Sequence, residues 1–189
     1  KVVVGMSGGV DSSVAAYLLK EEGYEVYGVT MDIWTEGAID TVNGGCLGSK
    51  AKEDAARVAS HLGIPYEIVD VRGRFRDNVM DYFADSYKNG QTPNPCTLCN
   101  RMVKWEALFK GAQIFGADYV ATGHYAKIRE LPNGRYSIAN SHTAAKDQTY
   151  ALCNLTQEQL KKTLLPIGDY EKSEVRKIAQ KAGIEVASK

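Results

Sequence analysis

Glycines, hydroxyls and one carboxylate follow a short apolar run at the start of the chain. The segment after the valines at 2–4 consists of Gly5, Met6, Ser7, Gly8, Gly9, Val10, Asp11 and Ser12. Glycines without side chains let backbone N–H groups approach a ligand closely. The unpaired N–H groups and the dipole at the start of a following helix favour an anion. The segment therefore predicts a loop that binds phosphate between a buried strand and a helix.

Asp11 narrows the kind of phosphate site. A carboxylate beside phosphates is repulsive unless a cation lies between them, so we expect Asp11 to contact Mg²⁺. Ser7 and Ser12 can donate hydroxyl hydrogen bonds to phosphate oxygens. The segment lacks the Gly-Lys-Ser/Thr of a Walker loop and does not match GxGxxG. The alternative is a glycine-rich turn that binds no ligand.

Two thiols lie three residues apart before a predicted helix, at Cys96 and Cys99. The helix start and the neighbouring Arg101 would stabilise a thiolate at Cys99. A thiolate is what a nucleophile or a sulfur acceptor requires. A CxxC pair is also half of a zinc site, and Cys46 could supply a third ligand, but a structural zinc site needs four.

Composition excludes several classes of protein. The chain has 189 residues, 44% hydrophobic and 24% charged, which are ordinary globular values. Lys+Arg and Asp+Glu both count 23, so a uniformly basic, nucleic-acid-coating surface is excluded while a local basic face is not. Four cysteines are too few for a secreted disulfide scaffold, and we expect a reducing, cytoplasmic location. No apolar run reaches membrane-spanning length and no leader pattern is present, so we expect no membrane partner.

Strand and helix patterns alternate along the chain. Apolar and β-branched runs predict strands at 2–4, 25–31, 66–70 and 119–122, and a Pro-Asn-Gly turn predicts a hairpin of 127–130 with 135–139. Helical spacing and caps predict helices at 12–22, 49–62, 75–87, 99–115 and 173–182, with a short helix opened by a capping box at 156–159. The glycine-rich residues 33–49 are expected to form a mobile loop near the site. The alternation predicts an α/β fold, with a doubly wound, mostly parallel sheet covered by helices on both faces.

Four segments in this order resemble the tRNA-specific 2-thiouridylase family across essentially the whole chain. They are the phosphate loop at 5–12, Asn94-Pro95 with Cys99-Asn100, Thr122-Gly123-His124-Tyr125, and Lys146-Asp147-Gln148. The loop itself resembles the SGGxDS loop of N-type ATP pyrophosphatases, which have an adenine nucleotide alpha hydrolase-like fold. The resemblance implies a domain of this kind over residues 1–150, and it implies that 151–189 begin a helical, tRNA-contacting region included only in part.

The resemblance also implies roles for single residues. Cys99 would be a catalytic cysteine, and Asn94, Pro95 and Cys96 would face the target base. Lys146, Asp147 and Gln148 would contact tRNA, while Met31 and Gly123 would contact ATP. For His124 we expect a hydrogen-bonded structural imidazole in preference to a catalytic one.

The implied reaction is an ATP-dependent 2-thiolation of the wobble uridine of tRNA, with ATP, Mg²⁺ and a cysteine desulfurase or sulfur-relay partner. Two departures from the family stand out. Cys96 replaces the usual Asp, and the family's second catalytic cysteine falls beyond Lys189. Cys153 does not occupy that position, and we expect it to be buried.

Two further functions stay open. Cys96 and Cys99 could ligate a [4Fe–4S] cluster together with a downstream cysteine, as part of the thiolation or in a nucleotide-binding iron–sulfur module. The chain could also be another ATP pyrophosphatase, one that activates a small carboxylate for amination.

Overall fold

The computed structural model describes residues 1–33 and 49–185. Cys46 and nearly all of the loop expected at 33–49 therefore lie outside the described residues. The strands are β1 (Val2–Gly5), β2 (Val26–Asp32), β3 (Tyr66–Asp70), β4 (Tyr119–Thr122), β5 (Ala126–Glu130), β6 (Tyr136–Asn140) and β7 (Thr163–Leu164). The α-helices are α1 (Val10–Glu21), α2 (Ser49–Leu62), α3 (Arg72–Phe75), α4 (Asp81–Lys88), α5 (Pro95–Leu98), α6 (Trp105–Phe115), α7 (Gln157–Lys161) and α8 (Lys172–Lys181).

Five strands form one parallel sheet in the order β3-β2-β1-β4-β7, and β5 with β6 forms a separate antiparallel hairpin. The chain fills the sheet from β1 towards β3, then continues at β4 on the other side of β1. This change of direction creates a crevice beyond the carboxyl ends of β1 and β4, where α/β proteins bind ligands. Gly5 pairs with Thr122 at these ends, so the phosphate loop and the segment after β4 start side by side.

Apolar side chains cover both faces of the sheet. Val2 and Val4 pack with α1, α2 and α8 in one buried cluster, whereas Val3 packs with α6 in the other. Alternate residues of a strand point to opposite faces, so three consecutive valines serve two cores. In the described ranges, no helix is both long enough and apolar enough to cross a membrane.

The helix at the cysteine pair begins earlier than expected. The sequence predicts a start near Cys99, but helical structure begins at Pro95 and continues through a π-helical segment, Cys99–Lys104, into α6. Asn94 caps it, because its Oδ1 accepts a hydrogen bond from the N–H of Cys96 at 3.1 Å. Asparagine at the N-cap and proline at the first helical position are both favourable, and these two local signals decide the start. Cys99 therefore lies one turn inside the helix.

The region after residue 150 packs on the rest of the fold. β7 pairs with β4, and the indole N–H of the buried Trp105 donates to Thr163 Oγ1 at 2.8 Å. On the other face, Val175 and Ala179 of α8 join the cluster built around α1. The domain boundary at 150 stays a prediction, and in the structure β7 extends the central sheet across it.

Candidate active site

The phosphate loop connects β1 to α1 through two glycines with different roles. Gly8 has φ +72°, and a Cβ there would overlap the carbonyl oxygen of Ala51 in α2, so only glycine fits. A Cβ at Gly9 would meet only Ser7 Oγ, at 3.5 Å. Gly9 is the N-cap of α1 and supplies no side chain to the first N–H groups of the helix. The loop is thus a backbone cradle that fits an anion.

The two serines of the loop differ in exposure. Ser7 is exposed, whereas Ser12 is buried and its Oγ donates to the carbonyl of Gly9 at 3.1 Å. Ser12 Oγ also accepts from the N–H of Ser7 at 3.1 Å and lies 3.2 Å from Ser7 Oγ. Ser12 therefore shapes the loop from inside, and Ser7 is the hydroxyl that faces outward. Their predicted contacts with phosphate stay predictions.

Asp11 is held by two residues from distant parts of the chain. Its Oδ1 accepts a hydrogen bond from the Tyr125 hydroxyl at 2.8 Å and one from Lys172 Nζ at 2.5 Å. The pKa of the Tyr125 phenol is raised well above its ordinary value. The main cause is burial, and the second is the hydrogen bond to Asp11. Tyr125 therefore stays a neutral donor. No sequence pattern points to Lys172, because nothing local connects the start of α8 with residue 11.

The residues around Asp11 fit a magnesium ion that takes one oxygen from the protein and most of its other oxygens from a bound phosphate group and water. Among the described residues, no three His, Cys, Asp or Glu side chains are grouped to hold a metal. Mg²⁺ in nucleotide sites uses one or two carboxylates and takes its other oxygens from phosphates and water. Asp11 beside the backbone cradle would be that single hard ligand, and its contact with Mg²⁺ stays a prediction. The predicted Mg²⁺ contact is compatible with the geometry.

Met31 and Gly123 border the crevice. Met31 is 5% exposed and packs in the core cluster with Ile33. A Cβ at Gly123 would lie 2.6 Å from Asp11 C and Ser12 N, so glycine is required because the first turn of α1 passes against it. The need for glycine at this position is explained by packing. Contacts of Met31 and Gly123 with ATP stay predictions.

The three described cysteines differ in exposure. Cys96 and Cys153 are exposed, and Cys99 is half-buried against the core cluster on the α6 side. The expectation that Cys153 is buried is wrong. The 3₁₀ turn Thr149–Leu152 places Ala151 and Leu152 in the core and leaves the next side chain facing outward.

The predicted tRNA loop is largely occupied with internal hydrogen bonds. Lys146 is exposed. Asp147 accepts from the N–H groups of Ser141 and Thr149 at 2.8 and 3.0 Å. Desolvation acts to raise the pKa of Asp147, but its hydrogen bonds, led by that from the Thr149 hydroxyl, bring this pKa below the ordinary value. Gln148 Oε1 accepts from the N–H of Tyr125 at 3.0 Å. In this structure Lys146 alone of the predicted trio extends freely to solvent.

A continuous set of hydrogen bonds joins the phosphate loop to the helix that begins at Pro95 and carries Cys99, called the thiol helix below. Tyr125 bonds to Asp11 through its hydroxyl and to Gln148 through its backbone, whose carbonyl accepts from Gln148 N at 2.8 Å. The N–H of Ala151 donates to Gln148 O at 3.0 Å, and the Ala151 carbonyl accepts from Asn100 Nδ2 at 2.8 Å. Asn100 directly follows Cys99 in the chain. These hydrogen bonds connect Asp11 with the helix that carries Cys99, a connection that sequence spacing could not show.

Asn100 is buried, and the oxygen of its side-chain amide is available to accept a hydrogen bond. It is 3% exposed, and in the described part of the chain its Oδ1 has no hydrogen-bond partner. The carbonyl of Ala151 requires a donor, so the amide orientation is determined by that bond.

His124 is a neutral structural residue. Its Nδ1 lies 2.7 Å from Thr122 Oγ1, and its ring centroid is 5.8 Å from that of Trp105. Desolvation by the surrounding protein, with a smaller contribution from Lys104, lowers the pKa of His124 well below 6.5. The predicted hydrogen-bonded imidazole is what the structure contains.

The parallel sheet with a glycine-rich phosphate loop at its switch point defines a PP-loop nucleotide-binding fold of the α/β class. The family model described as the tRNA methyl transferase HUP domain matches residues 1–189, and the chain belongs to this family. A tRNA-specific 2-thiouridylase MnmA of Lachnoclostridium phytofermentans is 62% identical over 191 residues, covering 100% of this chain and 54% of the relative. The protein of the same name from Clostridioides difficile is 56% identical over 190 residues, covering 100% and 53%. The chain spans about half the length of these curated relatives.

Solved structures confirm the predicted fold class. The NMN synthetase of Francisella tularensis superimposes with a TM-score of 0.57 at 15% identity, covering 100% of this chain and 64% of the synthetase. A glutamine-dependent NAD⁺ synthetase of Acinetobacter baumannii, solved with ADP, gives 0.55 at 18%, covering 95% and 28%. At these identities the likeness concerns the fold alone.

Proposed function

We propose that the protein uses ATP to replace the C2 oxygen of the wobble uridine of tRNA with sulfur. The names of the relatives support this assignment, since those at 62% and 56% identity are tRNA-specific 2-thiouridylases. The observation that carries it is the connected site. Asp11 of the phosphate loop and the helix of Cys99 are both hydrogen-bonded to the segment formed by Tyr125 and residues 148–151. Such a site suits a reaction that needs a nucleotide and a thiol together.

The phosphate loop serves the first step. Backbone N–H groups at Gly8, Gly9 and the start of α1 bind the triphosphate, and Asp11 holds Mg²⁺, which neutralises phosphate charge when bound. The uridine O2 then attacks the α-phosphorus. A bond forms between O2 and phosphorus, the bond to the β-phosphate oxygen breaks, and pyrophosphate leaves.

The thiol serves the second step. The outer sulfur of a persulfide on the second cysteine attacks C2, the C2–O bond breaks, and AMP departs with the former uridine oxygen. The Cys99 thiolate then attacks the inner sulfur, so the S–S bond of the persulfide breaks, the two cysteines end as a disulfide and the outer sulfur stays on C2. Cys99 is the thiol of this chain that we assign to the sulfur transfer, because it lies on the helix connected to the phosphate loop. The persulfide sulfur comes from a cysteine desulfurase or a sulfur-relay protein, and we place the reaction in the cytoplasm. A second cysteine, located beyond Lys189 in the resembling family, completes the thiol pair.

Exposed residues near the thiol helix are assigned to tRNA. Cys96 and Asn94 are exposed on the first turn of that helix, beside Pro95, and we assign this turn to the target base. Exposed Lys146 is assigned to a tRNA phosphate. Asp147 and Gln148 act by shaping the loop that presents Lys146, since their side chains already bond within it.

The thiol route is preferred to an iron–sulfur cluster. Cys96 and Cys99 are two ligands, and residues 1–33 and 49–185 contain no group of three His, Cys, Asp or Glu that could hold a metal. Both routes require a further cysteine from beyond Lys189, so the choice of the thiol route depends on the iron content of the protein. An absorbance spectrum and an iron assay on anaerobically purified protein test this choice, because bound iron in stoichiometric amount contradicts it.

The deciding experiment measures pyrophosphate release and 2-thiouridine formation with tRNA, ATP, Mg²⁺ and a persulfide donor. We expect tRNA to stimulate pyrophosphate release, and small carboxylates or ammonia to have no effect. In a protein that includes the second cysteine beyond Lys189, Cys99→Ser should abolish thiolation and retain ATP binding, with Cys153→Ser as the matched control that keeps both. Stimulation by a small carboxylate instead of tRNA would assign the chain to the amidating ATP pyrophosphatases.

A further inference from the structure

Lys172 lies at the phosphate loop although it belongs to the last described helix. It is the first residue of α8, and its Nζ is 2.5 Å from Asp11 Oδ1 and 5.9 Å from the ring centroid of Tyr125. The side chain is 23% exposed. Packing of α8 on α1 holds the stem of this lysine beside the loop.

The ion pair with Asp11 would compete with magnesium binding at the same carboxylate. Lys172 and Mg²⁺ are both cations, and Lys172 already lies on Oδ1 of this carboxylate. Binding of Mg²⁺ with ATP would therefore displace the ammonium from Asp11. The same event brings several phosphate oxygens to the cradle at Gly8 and Gly9, within reach of a long and flexible lysine side chain. A free ammonium at this place has one favourable new partner, which is phosphate.

We propose that Lys172 is a further substrate-binding residue, which neutralises Asp11 in the free protein and binds the β- or γ-phosphate when the magnesium nucleotide enters. It then contacts the pyrophosphate that leaves. This inference rests on the ATP-binding part of the proposed function and requires neither tRNA nor sulfur. The tRNA backbone is a second source of phosphate groups that a lysine can bind. The test below distinguishes binding of nucleotide phosphate from binding of tRNA phosphate.

The test compares pyrophosphate, ATP, AMP and tRNA as ligands in calorimetric titrations with Mg²⁺. Lys172→Ala should weaken pyrophosphate and ATP binding by about 10- to 100-fold, the loss expected for one charged hydrogen bond. AMP lacks the outer phosphates, so its affinity should change by less than about twofold. Lys177→Ala removes an exposed lysine of the same helix and should leave all affinities unchanged. Lys172→Arg should restore part of the loss.

A second comparison distinguishes contact with phosphate from an effect through Asp11. In an Asp11→Asn background there is no carboxylate to position, and Lys172→Ala should still weaken pyrophosphate binding at least about fivefold. Unchanged pyrophosphate affinity in Lys172→Ala overturns the inference, as does an equal loss of AMP affinity or a loss confined to tRNA. A wild-type protein that binds no pyrophosphate overturns it together with the ATP step. In a protein that includes the second cysteine, tight pyrophosphate binding without thiolation overturns the proposed reaction alone.

Discussion

The hydroxyl of Tyr125 donates a hydrogen bond to Oδ1 of Asp11 over 2.8 Å, across 114 positions of the chain. Through this bond the segment after β4 holds the only acidic residue of the phosphate loop. Tyr125 is 3% exposed, so the bond forms at the buried edge of the crevice. Replacement of either partner therefore has a defined expected result.

Tyr125→Phe should lower the free energy of unfolding by about 1.5 kcal/mol, because a hydrogen bond to a charged acceptor is lost while the ring keeps its packing. Urea unfolding followed by circular dichroism measures this change. Tyr150→Phe is the matched control, since Tyr150 is 54% exposed, and it should change stability little. Equal stability of Tyr125→Phe and the wild type would show that the bond contributes nothing.

Asp11→Asn should keep the fold and lose most Mg²⁺-dependent ATP turnover. Loss of a metal-binding charge removes several kcal/mol of transition-state stabilisation, so the rate should fall by about two orders of magnitude or more. Pyrophosphate release with tRNA present measures the rate. Asp81→Asn, on the exposed surface of α4, serves as control. Wild-type pyrophosphate release by Asp11→Asn would mean that the metal is bound elsewhere.

Thr163→Val should destabilise the protein by about 1–3 kcal/mol. It removes the acceptor of the buried Trp105 N–H and leaves that donor without a partner. Thr163 lies beyond the predicted domain boundary at 150, so the same experiment tests whether the two regions unfold together. A single transition that moves to lower urea indicates one cooperative unit, and two separate transitions would support independent domains.

Stability should fall as the pH is lowered below about 6.5, because of His124. Its pKa in the folded protein is well below 6.5, so the unfolded chain binds a proton that the folded chain does not. The contribution is fully present above pH 6.5, and it is lost with a slope of up to about 1.4 kcal/mol per pH unit as the pH falls towards the folded-state pKa. Urea midpoints between pH 7.5 and 5 measure the slope. His124→Gln should reduce it, whereas His142→Gln, at an exposed position, should leave it unchanged.

Thiol labelling should follow exposure. Cys96 and Cys153 are exposed and Cys99 is half-buried, so in the free protein a bulky maleimide should modify the first two before Cys99. Mass spectrometry of peptides after brief labelling identifies the order. Labelling of Cys153 should leave ATP binding intact. Fastest modification of Cys99 would instead support the stabilised thiolate predicted there, with thiolate character outweighing the lower exposure.

Local signals were sufficient for most elements. The valine run gave β1, and α2 and β3 have the predicted bounds, Ser49–Leu62 and Tyr66–Asp70. The capping box of Thr156 and Gln159 is present at α7. These features depend on neighbours within one or two turns, where backbone preference and side-chain periodicity dominate the free energy. The helix predicted from residue 99 begins at Pro95 instead, because proline is well suited to a first helical turn.

The amino-acid sequence by itself determined the glycine-rich turn between β1 and α1, the thiol pair, most strands and helices apart from β7, and through its motifs the family. Only the tertiary structure decided which residues surround Asp11, how Asn100 connects the thiol helix to Ala151, and that Cys153 faces outward. Lys172 and Asp11 are 161 positions apart, and no periodicity encodes such a contact. It exists because α8 and α1 share one buried apolar cluster, and the packing of that cluster determines where each polar side chain at its edge must lie.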